Sequence, residues 1–296
     1  MPFIGEIAAL SAAFFWGFGA LLFESAGTRI GAFATNLLRI LLGCLLLSFM
    51  LYLQSGTVFP ITASLQSHVW LGLSGIIGLA IGDGALFYAI VILGPRLSTL
   101  LLSLAPVVTT IIAWIFLNEQ LGWLATSGII LTLGAIYWVV SERHDSSLIR
   151  GSKPLGIVFG IIAAFGQGIG VVLAKFGLTG SLDALSATLM RMVPATIVLW
   201  IIAIFARKVK SSLSAMRNKK TAVIIFGGAV LGPFIGVWLS IVAVKYTEAG
   251  IASTLLSTVP ILIIPIDFVI HRRKPSLRAI LGTFVAILGI ALIFLR

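Results

Sequence analysis

The second half of this 296-residue chain repeats residue types of the first half at a nearly constant spacing. At an offset of 154 the matched pairs are Gly78 and Gly232, Gly82 and Gly236, Ser103 and Ser257, and Pro106 and Pro260. At an offset of 152 Arg39 matches Arg191, and at 151 Gly17 and Gly19 match Gly168 and Gly170, which makes the positions of Trp16 and Gln167 equivalent. Because the offset drifts by only three positions, the sequence indicates two copies of about 150 residues each.

Each copy is apolar enough to lie in a membrane. Hydrophobic residues make up 59% of the chain and charged residues 10%, and the mean hydropathy is +1.17, whereas soluble domains carry about 25% charged residues. A helix needs about 20 apolar residues to cross a bilayer. Ten such runs are predicted, at residues 4–23, 33–53, 68–92, 96–117, 122–140, 155–176, 184–206, 221–245, 249–270 and 276–295. We therefore predict an all-α membrane protein with ten transmembrane helices.

The odd number of spans in each copy determines how the copies are related. Five crossings bring the second copy into the membrane with the opposite orientation, so the prediction is two inverted five-helix repeats. In secondary transporters built this way, the substrate site lies near the bilayer centre, where the repeats meet. The predicted organisation is a first repeat over residues 1–140, a polar linker over 141–153 and a second repeat over 154–296.

The distribution of basic residues predicts the orientation of the chain. Fifteen Lys and Arg residues lie in loops after odd-numbered spans, with a dense group between Arg207 and Lys220. The other side holds Lys175, Lys245 and Arg296. Short cytoplasmic loops are enriched in Lys and Arg, so the charge bias places both termini outside.

Two features of the sequence resemble a known transporter family. One is an arginine early in the second span of each copy, Arg39 and Arg191, and the other is a proline-containing span that ends at Glu119 and precedes a span with Gly128. Together with the duplication and the ten spans, they are similar to the drug/metabolite transporter superfamily, in the ten-span form built from two EamA domains. The second copy departs from the pattern, because Arg273 occupies the position of Glu119.

The resemblance implies a secondary carrier that works by alternating access. Its central cavity would be lined mainly by spans one, three, four, six, eight and nine. Members of the superfamily carry amino acids, nucleotide sugars, sugar phosphates, vitamins or drugs, so a small-molecule substrate is implied without being identified. Relatives are generally drawn with both termini in the cytoplasm, opposite to the orientation that the charges favour here.

Motifs of enzymes are missing from the sequence. No Cys/His spacing fits a metal site, and no Gly-rich loop ends in the Lys-Ser or Lys-Thr of a phosphate site. We expect a multi-pass protein of a prokaryotic plasma membrane, monomeric or homodimeric, in contact with lipids and without cofactor, metal or nucleic acid. A proton or a counter-substrate is the expected coupling partner. The alternatives are an intramembrane enzyme or lipid-modifying protein, and a scaffold that transports nothing.

Asp83 is the acidic residue that lies well inside a predicted span, between Gly82 and Gly84. A carboxylate at the bilayer centre costs about 2.5–3.5 kcal/mol on insertion scales, so it requires compensation. It suits a proton-coupling site or an anchor for a substrate ammonium group. The alternative is a neutral side chain hydrogen-bonded across a helix contact.

The two matched pairs of residues complete the main candidates for substrate binding. Arg39 and Arg191 lie about two turns into their spans, where a guanidinium group either extends to the interface or faces inward to bind an anion. Trp16 and Gln167 are predicted to form opposite walls of one cavity. In the alternative, Trp16 packs or anchors at an interface and Gln167 bonds a neighbouring helix.

Four further residues are candidate cavity groups by type and position. They are Tyr88, Trp238, Ser103 and Ser257. Serine in a membrane helix also satisfies its own helix carbonyl, so each of the two serines has a structural alternative.

Overall fold

The structure is a computed structural model that describes residues 3–93, 98, 101–141, 152–180, 182–262 and 276–295. Within these ranges the ordered elements are helices and turns, with no strand. The ten main helices are α1 Ile4–Ile30, α2 Ala32–Ser55, α3 Leu65–Leu93, α4 Ala105–Leu117, α5 Trp123–Val140, α6 Lys153–Gly177, α7 Ala184–Phe205, α8 Lys219–Tyr246, α9 Ala249–Leu262 and α10 Leu277–Phe294.

The predicted all-α membrane fold is confirmed. Six helices, α1, α2, α3, α6, α7 and α8, are long and apolar enough to cross a membrane, and the other four are shorter apolar helices. Each helix coincides with one predicted span, although α1 continues seven residues past the predicted end of its span at residue 23. Most of the linker, and parts of predicted spans four and nine, lie outside the described residues.

Short polar side chains fix where several helices begin. Ser64 and Asn218, which match at the offset of 154, cap α3 and α8 by accepting hydrogen bonds from the backbone N–H groups three residues later. Asp183 caps α7 by accepting from Ser186 N at 2.9 Å. Such side chains satisfy N–H groups that have no partner within the first turn of a helix.

Both α3 and α8 change to π-helical geometry near their middle. The π-helical segments are Gly75–Gly82 in α3 and Val230–Gly236 in α8, at equivalent positions of the two repeats. In α8 the segment contains Pro233, which cannot donate a backbone hydrogen bond. π-Helical turns inside longer helices are found frequently at functional sites. The sequence offered no expectation for this geometry.

Glycines allow the first helix of each repeat to cross the third helix of the other. A Cβ placed on Gly170 of α6 would lie 3.0 Å from Gly78 Cα in α3. In the matched crossing, a Cβ on Gly19 of α1 would lie 3.6 Å from Gly232 N in α8. The repeats therefore pack by an exchange of equivalent contacts, and both π-helical segments lie at this interface.

The fifth helices of the two repeats also pack against each other. A Cβ on Gly128 of α5 would lie 2.6 Å from Gly289 O in α10, and one on Gly282 of α10 would lie 3.7 Å from Ala135 O in α5. Gly128 matches Gly282 and Ala135 matches Gly289 at the offset of 154. These reciprocal contacts are those expected on either side of a pseudo-two-fold axis.

A turn precedes α4 at the position equivalent to a turn that interrupts α9. Turns at Ser103–Leu104 and Ser257–Thr258 each precede a proline by two residues, Pro106 and Pro260. Because proline has no N–H, the helical hydrogen bond to the residue four positions earlier is lost. Discontinuous helices of this kind commonly form substrate and ion sites in transporters with inverted repeats.

Candidate functional site

Asp83 lies near the middle of the membrane-spanning part of the protein. It begins the α-helical part of α3 after the π-helical segment, ten residues before the helix ends at Leu93. At a rise of about 1.5 Å per residue this places it about 15 Å from that end, or half of a hydrocarbon core of about 30 Å. The residue is buried, with 9% of its surface exposed.

Both oxygens of the Asp83 carboxylate are occupied. Arg39 Nη2, from α2, donates to Oδ2 in a buried ion pair, and Gln167 Nε2, from α6, donates to Oδ1. The carboxylate thus joins α2 and α3 of the first repeat to α6 of the second. These two partners supply the compensation that a buried carboxyl group in a span requires.

The surroundings of Arg39 hold its guanidinium group inside the protein. Its Nε donates to Asn36 Oδ1 at 2.9 Å. Its central carbon lies 5.3 Å from the ring centroid of Phe23 and 5.0 Å from that of Phe87, within cation–π distance. Arg39 is only 7% exposed, so it faces inward instead of extending to the interface.

Arg191, the matched residue on α7, is also buried, with 4% of its surface exposed. Its backbone carbonyl packs against Gly75, where a Cβ would lie 1.8 Å from the oxygen. Its Nη2 lies 3.4 Å from the position of a Cβ on Gly78. Its Nε has no hydrogen-bond partner among the described residues. The π-helical segment of α3 therefore packs directly on this arginine.

Trp16 and Gln167 contact equivalent parts of opposite repeats. Gln167 Nε2 lies 3.4 Å from Gly78 O in the π-helical segment of α3. The indole Nε1 of Trp16 lies 2.3 Å from the position of a Cβ on Gly236, in the π-helical segment of α8. Only Gln167 reaches Asp83, because the residue that matches Asp83 in the second repeat is Val237. Trp16 also packs on two clusters of buried apolar residues, as in the alternative stated for it, and a shared cavity wall stays a prediction.

The remaining candidates lie elsewhere. Tyr88 is 40% exposed and stacks on Phe159, with 5.4 Å between ring centroids. Trp238 is half-buried and packs on the apolar cluster between α2 and α7. Ser257 donates to Ser253 O of its own helix at 2.9 Å, and Ser103 lies half-buried in the turn before α4. None of these four side chains belongs to the buried charge cluster of Asp83, Arg39, Gln167 and Arg191.

A second polar network joins helix ends on the side of the termini. Thr247, between α8 and α9, donates to Glu6 Oε1 in α1 at 2.9 Å, and Lys175 at the end of α6 donates to Thr247 O. Glu119, in the turn after α4, accepts from Ala249 N at 2.8 Å and lies 3.5 Å from Lys175 Nζ. Burial raises the pKa of Glu119, and the ammonium group of Lys175 offsets part of this effect.

The sequence predicted part of this arrangement. It identified Asp83, both arginines and Gln167, but it missed Asn36, Phe23 and Phe87 around Arg39. It also gave Lys175 an ordinary interfacial position. No periodicity or spacing signals these contacts, since Glu6 and Thr247 are separated by 241 positions.

Comparison with known proteins supports the same reading of the fold. The model of the EamA-like transporter family matches residues 3–141 and again residues 154–295. The chain belongs to the EamA-like transporter family. A relative named only as an uncharacterized transporter, from Archaeoglobus fulgidus, is 23% identical over 291 residues, which cover 97% of this chain and 96% of the relative. A solved crystal structure is similar over 99% of this chain and 96% of the chain in that structure, with a TM-score of 0.74. Because the two sequences are only 15% identical, this similarity supports the fold alone.

Membership of the EamA-like family confirms the resemblance seen in the sequence. The protein is an integral, multi-pass membrane protein of the drug/metabolite transporter type. Its small-molecule substrate and its membrane setting follow from the family. The predicted limits of the repeats and linker, and the assignment of residues to a substrate site, remain predictions.

Proposed function

We propose that the protein is a secondary active transporter that moves a small metabolite across a membrane by alternating access. The observation that carries the proposal is the carboxylate of Asp83, which both repeats bind at about half the depth of the membrane. Ionisable residues at such a depth are rare in membrane proteins and by default indicate a substrate, ion or proton site. Binding by both repeats means that a movement of one repeat against the other changes the surroundings of Asp83.

The network on the side of the termini supports alternating access. It joins α1, the turn after α4, the end of α6 and the turn between α8 and α9, through Glu6, Glu119, Lys175 and Thr247. Access to Asp83 from that side requires these contacts to separate. They are polar contacts at the membrane surface, where water can replace a lost partner. We propose that this network, named here the terminal network, is the closed gate of the conformation described.

The bonds of Asp83 support proton coupling as part of the proposal. Protonation would remove the charge that holds Arg39 and would weaken the hydrogen bond from Gln167. Arg39 of the first repeat and Gln167 of the second would then lose their bonds to Asp83 in a single step. Exchange with a counter-substrate is the alternative, and a dependence of transport on the pH gradient would distinguish the two.

The proposed substrate site consists of the buried charge cluster with Trp16 beside it. Tyr88, Trp238, Ser103 and Ser257 are secondary candidates. The family and the name of the relative point to transport and argue against an intramembrane or lipid-modifying enzyme. In a transporter, these side chains bind and release a solute without changing its bonds.

Transport by purified protein in liposomes tests the proposal. Wild-type protein should move at least one member of a panel of amino acids, amines, nucleosides, vitamins and phosphosugars, compared with empty vesicles. Gln167→Ala and Asp83→Asn should lose transport while eluting as folded protein. Tyr137→Phe is the control, because Tyr137 lies on α5, is 60% exposed and belongs to no part of the proposed site. Absence of transport of every compound by wild-type protein would contradict the proposal.

A further inference from the structure

The buried charge cluster contains more positive than negative charge. Asp83 accepts from Arg39 and from Gln167, which occupy its two oxygens. Arg191 lies within electrostatic range of the same carboxylate but makes no ion pair with it. Two guanidinium groups and one carboxylate leave one net positive charge among these residues. A buried charge without a partner costs several kcal/mol, so a missing partner is expected.

Arg191 lies on the side of Asp83 that is nearer to the termini. It is the eighth residue of α7, which begins on the side of the termini at Ala184. At about 1.5 Å per residue it lies about 10 Å into the membrane from that side, whereas Arg39 is the eighth residue of α2, which begins on the opposite side. The two arginines therefore approach Asp83 from opposite sides, and Arg191 stands between Asp83 and the terminal network.

Glycines allow α3 and α6 to pack closely beside Arg191. A Cβ on Gly75 would meet the backbone carbonyl of Arg191, and one on Gly170 would lie 3.0 Å from Gly78 Cα. Gly78 is the neighbour of the guanidinium group, since a Cβ on Gly78 would lie 3.4 Å from Nη2. The Nε atom of the same guanidinium group is buried and has no hydrogen-bond partner among the described residues.

We infer that Arg191 binds an oxyanion on the transported substrate, a carboxylate or a phosphate. The inference rests on the proposed function, because it assigns a substrate class to that transport site. Guanidinium groups bind both oxyanions through two parallel hydrogen bonds. A monoanion would bring the net charge of the occupied cluster to zero. Cationic amines would meet two arginines and are disfavoured as substrates.

Pairs of compounds that differ only in charge test this inference. Thermal unfolding of the purified protein is measured with carboxylic acids and their uncharged amides, with phosphomonoesters and their parent alcohols, and with amines. Ligands that bind the folded state raise the unfolding temperature by mass action. In the wild-type protein only the oxyanions should raise the unfolding temperature. Whether the carboxylic acids or the phosphomonoesters raise it shows which oxyanion Arg191 binds.

Variants of Arg191 connect the response to this residue. Arg191→Gln should lose the rise in unfolding temperature with the acid. Arg191→Lys keeps the charge but not the paired hydrogen bonds, so it should show a smaller rise even if the Gln variant does not fold. Arg278→Gln is the control, because Arg278 contacts Ser141 and Trp138 near the linker and should respond like wild type.

The possible results separate this inference from the proposed function. A rise in unfolding temperature with oxyanions that is lost or reduced in the Arg191 variants supports the inference. An equal response to amides or amines, or an unchanged acid response in Arg191→Lys and Arg191→Gln, overturns it. Transport in liposomes of a neutral or cationic solute alone also overturns it while the transporter assignment stands. Absence of both binding and transport overturns the proposed function itself.

Discussion

The ion pair between Arg39 and Asp83 makes an asymmetric prediction about stability. Asp83→Asn leaves Arg39 and Arg191 buried without a carboxylate, which raises the net charge of the buried charge cluster from one to two positive charges. Arg39→Gln leaves Asp83 opposite Arg191 with no net charge. The double variant restores one positive charge, as in the wild type. The cost should therefore be largest for Asp83→Asn.

The expected free-energy costs follow from typical values for buried ion pairs. Removing one partner of a buried ion pair costs about 3–5 kcal/mol, and we expect Asp83→Asn to fall in this range. Arg39→Gln should cost less, because Arg191 remains within electrostatic range of the carboxylate and the remaining pair carries no net charge. The double variant should cost less than the sum of the single variants by about 1–3 kcal/mol, as is typical of residues in direct contact.

Unfolding of the three variants and the wild type in one detergent measures these free energies. The assay is a titration of helix content with denaturing detergent or a thermal unfolding curve, with all four proteins in identical micelles. Additive costs would show that Arg39 and Asp83 do not interact. A larger cost for Arg39→Gln than for Asp83→Asn would refute the role given to Arg191.

Three further predictions concern packing, pH and orientation. Gly75→Ala should destabilise the folded protein by about 1–3 kcal/mol or more, because the new Cβ meets the carbonyl of Arg191. Gly134→Ala is the control, because a Cβ at Gly134 meets open space. Thermal unfolding compares the two variants. Burial raises the pKa of Glu119. The contribution of Glu119 to the free energy of unfolding is therefore greatest below the pKa of an unfolded glutamate, and it falls as pH rises through the pKa of Glu119 in the folded protein. Glu119→Gln should remove this fall in stability. A cysteine introduced between residues 207 and 220, in a Cys44-free background, should resist an impermeant maleimide in intact cells, and rapid labelling would reverse the predicted orientation.

The duplication made most of the fold predictable from the sequence. Matched glycines such as Gly78 and Gly232 gave the repeats, and five spans per repeat gave their inversion. The crossing of α6 with α3 could not be predicted, because the contact between Gly78 and Gly170 joins residues of different repeats. The π-helical segments lie at this packing contact, and apolar periodicity does not show them.

The candidate site was predictable where a polar side chain is rare in its surroundings. Asp83 and Arg191 are conspicuous in apolar spans, because a buried charge is costly. The aromatic partners of Arg39 are not conspicuous, since Phe23 and Phe87 are ordinary residues of membrane helices. The terminal network was missed for a different reason: polar residues at the ends of spans are common, and only the folded chain brings them together.

Alternating access is the central claim, and closing the terminal network covalently tests it most directly. Glu6 Oε1 and Thr247 Oγ1 lie 2.9 Å apart, so cysteines at both positions, in a Cys44→Ser background, can be joined by a short thiol cross-linker that a reductant cleaves. Transport of the substrate identified in liposomes should stop after cross-linking and return after reduction, while each single-cysteine variant is unaffected by the same treatment. Undiminished transport by fully cross-linked protein would contradict the claim that this side must open.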